Sequence, residues 1–385
     1  MAFHLSRQAV LKWLETPSVY HLTRDELYEL DQSSFQFLGS CASGEGCDSP
    51  DSAFVDYCLE EGLLTRESVS VQRPPLVPAS DPSLRYLELQ ITSRCNLRCR
   101  HCYLGDSEPR ELTVAQILNI LKEFEDMQGL RVLITGGEPL LHSRFSEVNA
   151  LFQDLSLRRV LFTNGLLLKK DVLRTLKVHE IQVSIDGMRE AHDSVRGDGT
   201  WAVSIGAIRN AVDAGFDVSV STMVHRGNLA DFDAMDEFFH VLGVREWTVD
   251  VPCATGRLKE NEELGVPPEV GGRFLGYGYG GGMHASGPGF ACGLHLMAIL
   301  PDGHAAKCTF YGDRPAGTVE EGLRACWERI QPVRLDDLDC DCEVREACRG
   351  GCRYRAELLG HPKGKDRYRC ALYGFIDRVK EDLLS

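Results

Sequence analysis

The chain has no apolar run long enough to span a bilayer, so no membrane partner is expected. Its first residues, MAFHLSRQAVLKWLE, lack the basic stretch, apolar stretch and small-residue cleavage site of an export signal, and the expectation is a cytoplasmic protein. Positive charge is also scarce. Lys and Arg number 42 against 57 Asp and Glu, a net charge of −15. A phosphate backbone rewards clustered cations, so nucleic acid is a poor partner. Acidic runs such as RLDDLDCDCE read as solvated surface. The stretch RFLGYGYGGGMHASGPGFACG is rich in glycine but lacks the Lys-Ser/Thr ending of a phosphate loop, and reads as flexible connection.

Cysteine, by contrast, is plentiful: 15 in 385 residues. Without an export signal, such usage favours metal ligation over disulfides. Cys41, Cys47 and Cys58 read as incidental, Cys58 being set among apolar neighbours on a helix face. CNLRCRHCY holds Cys95, Cys99 and Cys102, a trio rather than a pair or a quartet. Thiolates at CxxxCxxC spacing can converge on three corners of a [4Fe–4S] cube and leave one iron open to a substrate or cosubstrate. The bland alternative is a zinc site that borrows His101 as its fourth ligand.

Four prolines in QRPPLVPASDP, Gln72 to Pro82, mark a linker. Before it, VYHLTRDELYELDQSSFQFL supplies short strands and then a helix, and SAFVDYCLEEGLL a second helix stopped by Gly62. After it, strands and helices alternate: YLELQI, then a helix with Thr113 as N-cap, Ile117, Leu118, Leu121 and Phe124 on one face, and Gly129 at its end. RVLI, VLFT, IQVSI, VSVSTMV and WTVDV follow with helices between them. Six βα units in about 170 residues predict an α/β fold, a parallel sheet curled toward a partial TIM-like barrel with its site at the C-terminal strand ends. From Pro252 the alternation stops, and the cysteine-studded remainder leans on metal for stability.

CxxxCxxC behind the first strand of such a barrel resembles the radical S-adenosylmethionine (SAM) superfamily. Other motifs match in order: Gly136, Gly137, Glu138 and Pro139 as the GGEP turn, TNG (Thr163 to Gly165), SIDG (Ser184 to Gly187) and Arg196 in HDSVRG. The resemblance implies that SAM chelates the open iron and is cleaved to a 5′-deoxyadenosyl radical, which takes hydrogen from unactivated carbon. It further implies that the GGEP backbone approaches the SAM amino group, Ser184 the ribose, and Arg196 the SAM carboxylate.

The C-terminal cysteines are similar to the SPASM extension of radical SAM enzymes, which houses one or two auxiliary iron–sulfur clusters. The resemblance assigns Cys292, Cys308 and Cys352 to the first cluster, and Cys340, Cys342, Cys348 and Cys370 to the second. A pair of zinc ribbons is the alternative. Two departures stand out. Cys340-x-Cys342 replaces the usual CxxC, and the position that completes the first cluster in some members falls near Ser286. An open iron, a non-cysteine ligand or Cys253 are the three ways to fill that gap.

Thr309 stands where sulfatase-maturing relatives carry an Asp, which counts against that activity. The N-terminal unit resembles a PqqD-like, winged-helix recognition domain that captures leader peptides by strand addition, with a plain packing extension as the alternative. The expected domains are 1–72 for peptide recognition, 73–82 as linker, 83–260 as the barrel and 261–385 as the SPASM-type domain. The expected function is maturation of a ribosomally made precursor peptide by a C–C or C–S crosslink, with a flavodoxin or ferredoxin as electron donor. The alternative is modification of a tetrapyrrole. Asp186, Asp250, His225 and Cys253 are the candidate proton or hydrogen-atom donors.

Overall fold

The computed structural model describes residues 2–48, 51–106, 108–284 and 289–375. The N-terminal unit holds β1 (His4–Leu5), β2 (Ala9–Trp13), β3 (Pro17–His21), β4 (Glu26–Glu29), α1 (Gln32–Cys41), α2 (Ser52–Glu60) and β5 (Leu64–Thr65). Strands β2, β3 and β4 form an antiparallel sheet in that order, and β1 pairs with β5. Asp31 caps α1 by accepting from Ser34 N at 2.8 Å, and Asp51 caps α2 from Phe54 N at 3.1 Å. Gly62 turns the chain after α2 at φ +68°, as its position predicts. Leu11, Val19, Phe35, Leu38 and Cys58 share a small core. Cys41 and Cys47, read as incidental, form a disulfide.

The proline-rich segment is stapled down along its length. Arg73 donates to Ala9 O (2.6 Å) and Leu5 O (3.0 Å), Gln128 donates to Pro75 O (3.2 Å), and Ala79 N donates to Trp13 O (2.8 Å).

The alternation then runs β6 (Tyr86–Thr92), α3 (Val114–Asp126), β7 (Arg131–Gly136), α4 (Phe145–Leu151), β8 (Arg158–Thr163), α5 (Lys170–Leu173), β9 (Glu180–Ser184), α6 (Arg189–Arg196), α7 (Thr200–Asp213), β10 (Asp217–Met223), α8 (Phe232–Leu242) and β11 (Glu246–Asp250). The six strands pair in parallel and in chain order, the topology the repeated βα pattern predicts. Thr113 and Gln116 close a capping box on α3. The buried face of that helix is Ile117, Ile120, Leu121 and Phe124, with Ile120 in place of the expected Leu118. Its end also differs. Gln128 takes the left-handed turn at φ +66°, while a Cβ on Gly129 would sit 2.4 Å from the Phe124 ring.

Past β11 come α9 (Pro268–Phe274), β12 (Leu296–Ile299), β13 (His304–Ala306), β14 (Gly317–Thr318), α10 (Leu323–Arg329), α11 (Arg345–Cys348), α12 (Arg353–Leu358) and α13 (Arg367–Leu372). Strand β12 adds parallel to the free side of β6, and β13 and β14 follow antiparallel, so one nine-stranded sheet crosses the expected boundary at 260. The glycine-rich stretch is partly packed rather than loose. Tyr279 exchanges backbone bonds with Trp247 (2.9 and 3.0 Å), and the rings of Tyr277 and Tyr279 lie about 6 Å from its indole. Among the described residues no helix is long and apolar enough to cross a membrane.

The N-terminal unit covers one end of the barrel. Arg158 donates to Leu22 O (2.9 Å) and Thr23 O (2.8 Å) in the β3–β4 turn, and to Glu180 and Asp217 (2.8 Å each). Arg131 Nε donates to Asp25 at 2.8 Å, and Lys12 Nζ to Gly129 O at 2.6 Å. Arg131, Arg158, Glu180 and Asp217 all open their strands, so the covered end is the N-terminal one. In such barrels that face carries stability, and the opposite face carries chemistry.

Candidate active site

A cavity of about 1080 Å³ opens where the barrel strands end, lined by the CxxxCxxC loop, Gly136 and Gly137 of the GGEP turn, residues of β8, β9 and β10, and Pro252 and Cys253 after β11. The cysteine loop leaves β6 directly and is held from several sides. Arg257 donates through Nε to Cys99 O (2.9 Å), through its backbone N to Cys102 O (2.9 Å) and through Nη1 to Gly105 O (2.8 Å). Asn164 on the β8 exit donates to Asn96 at 2.8 Å. Gly256 lies so close that a Cβ there would meet Cys102 O at 2.3 Å, and its φ is +55°. Burial pushes the Cys99 thiol up to about 11, against the pull of Arg196. The bare Cys99 thiol keeps its proton, whereas bound iron would hold it as a thiolate. Among the described residues, no three His, Cys, Asp or Glu side chains close around a single ion. Cys95, Cys99 and Cys102 instead line a volume that accommodates a four-iron cube and a cosubstrate.

At the β7 exit, Gly136 (φ +137°) and Gly137 press on backbone. Added Cβ atoms would lie 2.2 Å from Thr92 O and 2.3 Å from Arg94 O. Glu138, fully buried, accepts from Thr163 Oγ1 (2.9 Å), Asn164 N (2.9 Å) and Leu140 N (3.2 Å), which stitches the β7 and β8 exits together. Burial still pushes its carboxyl up to about 7. Pro139 opens the short 3₁₀ turn that follows.

Ser184 ends β9 on the cavity wall. Asp186 is fully buried and takes Arg196 Nε (2.6 Å), His101 Nε2 (3.1 Å) and Met223 N (2.8 Å). Burial would raise its pKa, but the Arg196 guanidinium and His101 overcome this and hold it well below the usual carboxylate range. Arg196 Nη1 also reaches Cys99 Sγ at 3.9 Å. His225 is buried against Asp186 O at 2.8 Å, and Asp250 pairs with Arg355 at 2.5 Å. Of the four donors expected from the sequence, Cys253 alone lines the cavity.

Two residues escaped the sequence reading. Glu88, midway along β6, faces the cavity, accepts from Thr309 N at 3.1 Å, and is pushed up to about 6 by burial. Its signal was a polar pair, Glu88 and Gln90, inside an otherwise apolar strand. Arg257 gave no signal at all.

The C-terminal cysteines gather in two groups. Cys253, Cys292, Cys308 and Cys352 form one: Cys253 lies beside Cys352, and burial, then the charges of Glu88, Cys352 and Cys292, raises Cys308 to about 12. Cys340, Cys342, Cys348 and Cys370 form the other. Burial, then neighbouring thiolate charge, raises Cys370 to about 11. Residue 286 lies outside the described residues.

Residues 89–239 match the radical SAM superfamily model. Mycofactocin maturase MftC of Mycolicibacterium smegmatis is 36% identical over 323 residues, spanning 72% of this chain and 80% of that protein. The chain belongs to the radical SAM superfamily. It is therefore an enzyme that works with a [4Fe–4S] cluster and SAM. The AdoMet-dependent heme synthase of Nitratidesulfovibrio vulgaris is 28% identical over 192 residues, covering 48% of this chain and 52% of that one. In fold, the chain resembles Streptococcus suis SuiB bound to precursor peptide SuiA, with a TM-score of 0.67 at 14% identity over 94% of this chain and 98% of the other.

Proposed function

We propose that this radical SAM enzyme matures a ribosomally made precursor peptide, taking hydrogen from a side-chain or backbone carbon so that a C–C or C–S crosslink forms. The observation that carries the reading is the N-terminal unit: an antiparallel sheet anchored to the barrel, whose β4 pairs only with β3 among the described residues. Such an edge takes an extended leader as a further strand, with backbone hydrogen bonds giving affinity at little sequence demand. The similarity to a mycofactocin maturase over most of both chains supports it.

In this reading Cys95, Cys99 and Cys102 hold the SAM-binding cluster, and Gly136, Gly137, Glu138, Pro139, Ser184 and Arg196 bind or shape the site for SAM. When bound, cluster and cosubstrate supply a 5′-deoxyadenosyl radical. The protein's own part is to orient and to exclude water. Glu138 fixes the GGEP turn against β8, and Asp186 fixes Arg196 beside Cys99. Cys292, Cys308 and Cys352 hold a first auxiliary cluster; Cys340, Cys342, Cys348 and Cys370 hold a second. A flavodoxin or ferredoxin supplies the electron. The domains are read as 1–72, 73–82, 83–260 and 261–385, the last two joined by the sheet that crosses residue 260 and the first tied to the barrel by the proline-rich segment.

The test is turnover. Anaerobic enzyme with reductant and SAM is offered synthetic peptides encoded by short reading frames beside its gene, and separately iron coproporphyrin III. Peptide maturation predicts 5′-deoxyadenosine in step with loss of hydrogen mass from one peptide. Stimulation by the porphyrin alone would replace this reading with tetrapyrrole modification.

A further inference from the structure

We infer that Cys253, at the exit of β11, is the fourth protein ligand of the first auxiliary cluster, which leaves that cluster no iron open to substrate. The inference rests on the proposed assignment of Cys292, Cys308 and Cys352 to that cluster. Sequence spacing left a gap, because the position near 286 is a serine. The fold fills it from a different element, the last strand of the barrel.

Cys253 is 2% exposed and lies beside Cys352, which occupies the N-cap position of α12. The contact is built rather than incidental. Arg355 Nη1 donates to Val251 O (3.1 Å) and Asp250 Oδ1 (2.5 Å), which fixes the β11 exit two residues before Cys253. Its Nη2 donates to Asp366 Oδ2 (2.9 Å), and that same oxygen accepts from Cys352 N (2.7 Å). One buried guanidinium, paired on both sides, therefore holds both cysteine-bearing segments in register. Cys292 approaches from before β12 and Cys308 from after β13. A fully thiolate-ligated cubane takes four cysteines, and these four elements supply one each.

The consequence concerns role. A cluster with every iron held by protein can exchange electrons but cannot capture a peptide thiolate at iron. Cys253 also lines the cavity shared by Cys95, Cys99 and Cys102, so a ligand of this cluster forms part of the reaction chamber's wall.

The test uses the full chain purified anaerobically in a Cys95→Ala/Cys99→Ala/Cys102→Ala background, so that only auxiliary iron is read, about eight atoms per chain. Adding Cys253→Ala is expected to remove about one iron per chain on mild oxidation and to produce a [3Fe–4S] paramagnetic signal. Cys253→Ser, which offers a weaker oxygen ligand, is expected to shift the spectrum of the reduced clusters while circular dichroism stays unchanged. Cys326→Ser serves as control, because that thiol instead bonds Thr318 O at 3.3 Å. Iron content and spectra unchanged by both Cys253 substitutions would overturn the inference and leave the auxiliary assignment standing. An iron-free triple variant would overturn both, so the two failures are distinguishable.

Discussion

Glu88 carries an ionisable group into the barrel interior, where burial pushes it up to about 6 from an ordinary 4.5. A raised carboxyl pKa means that the folded state prefers the neutral form. Its contribution favours the fold at low pH and is lost as pH rises from 4.5 through about 6, by roughly 2 kcal/mol. Infrared titration should show a protonated carboxyl band with a midpoint near 6 that is absent from Glu88→Gln. A band unchanged in the variant would remove Glu88 as its source. The placement of the cysteine trio and the glycine pair at the cavity was legible because ligand spacing and backbone contact admit few residue types. Glu88 was not, because alternation in a strand cannot tell a barrel's polar interior from solvent. The enclosure of Asp186 was hidden for a related reason. An acid beside a motif reads as chemistry, yet here it is fully enclosed by Arg196, His101 and Met223 N and does not line the cavity.

At the scale of elements, the cysteine loop depends on a segment more than 150 residues away in sequence. Arg257 makes side-chain bonds to Cys99 O and Gly105 O, and pairs with Asp106 at 2.7 Å. Hydrogen bonds from a charged donor contribute roughly 1.5–3 kcal/mol each, and here they order one loop. Arg257→Ala is therefore expected to release the iron of the SAM-binding cluster to a chelator at least about tenfold faster, with auxiliary iron retained, since 1.4 kcal/mol already corresponds to tenfold. Lysine should not rescue it, because a single ammonium cannot span those acceptors as the planar fork does. Equal release rates in parent and variant would show that the loop holds itself. The six strands of the barrel and its helices other than α6 were readable from the alternation of period. The Arg257 clamp was not, since it is one side chain on a short 3₁₀ turn that no periodicity marks. Strand β12 was missed because LMAI is four residues long and its parallel partner, β6, lies far upstream.

For the whole molecule, the decisive arrangement is that the N-terminal unit and the cavity sit at opposite ends of one barrel. The β3–β4 turn is bound to Arg131 and Arg158 at strand starts, while the cavity opens at strand ends. Sequence could not show this, since it rests on single ion pairs between residues more than 100 positions apart, such as Asp25 with Arg131. Strand β6 has 7 residues, a length of roughly 23 Å at about 3.3 Å per residue. A peptide whose leader pairs with β4 must run at least that far before its reacting carbon enters the cavity. An extended chain covers at most about 3.3–3.6 Å per residue, so the spacer between leader and modified residue needs roughly seven residues. Precursors with the spacer progressively shortened should keep leader affinity yet lose turnover abruptly below that length. Lengthened spacers should be tolerated, since each doubling of a flexible loop costs only about 0.6 kcal/mol. Turnover that persists with a spacer of two or three residues would mean that the leader binds elsewhere or that the N-terminal unit leaves its place on the barrel.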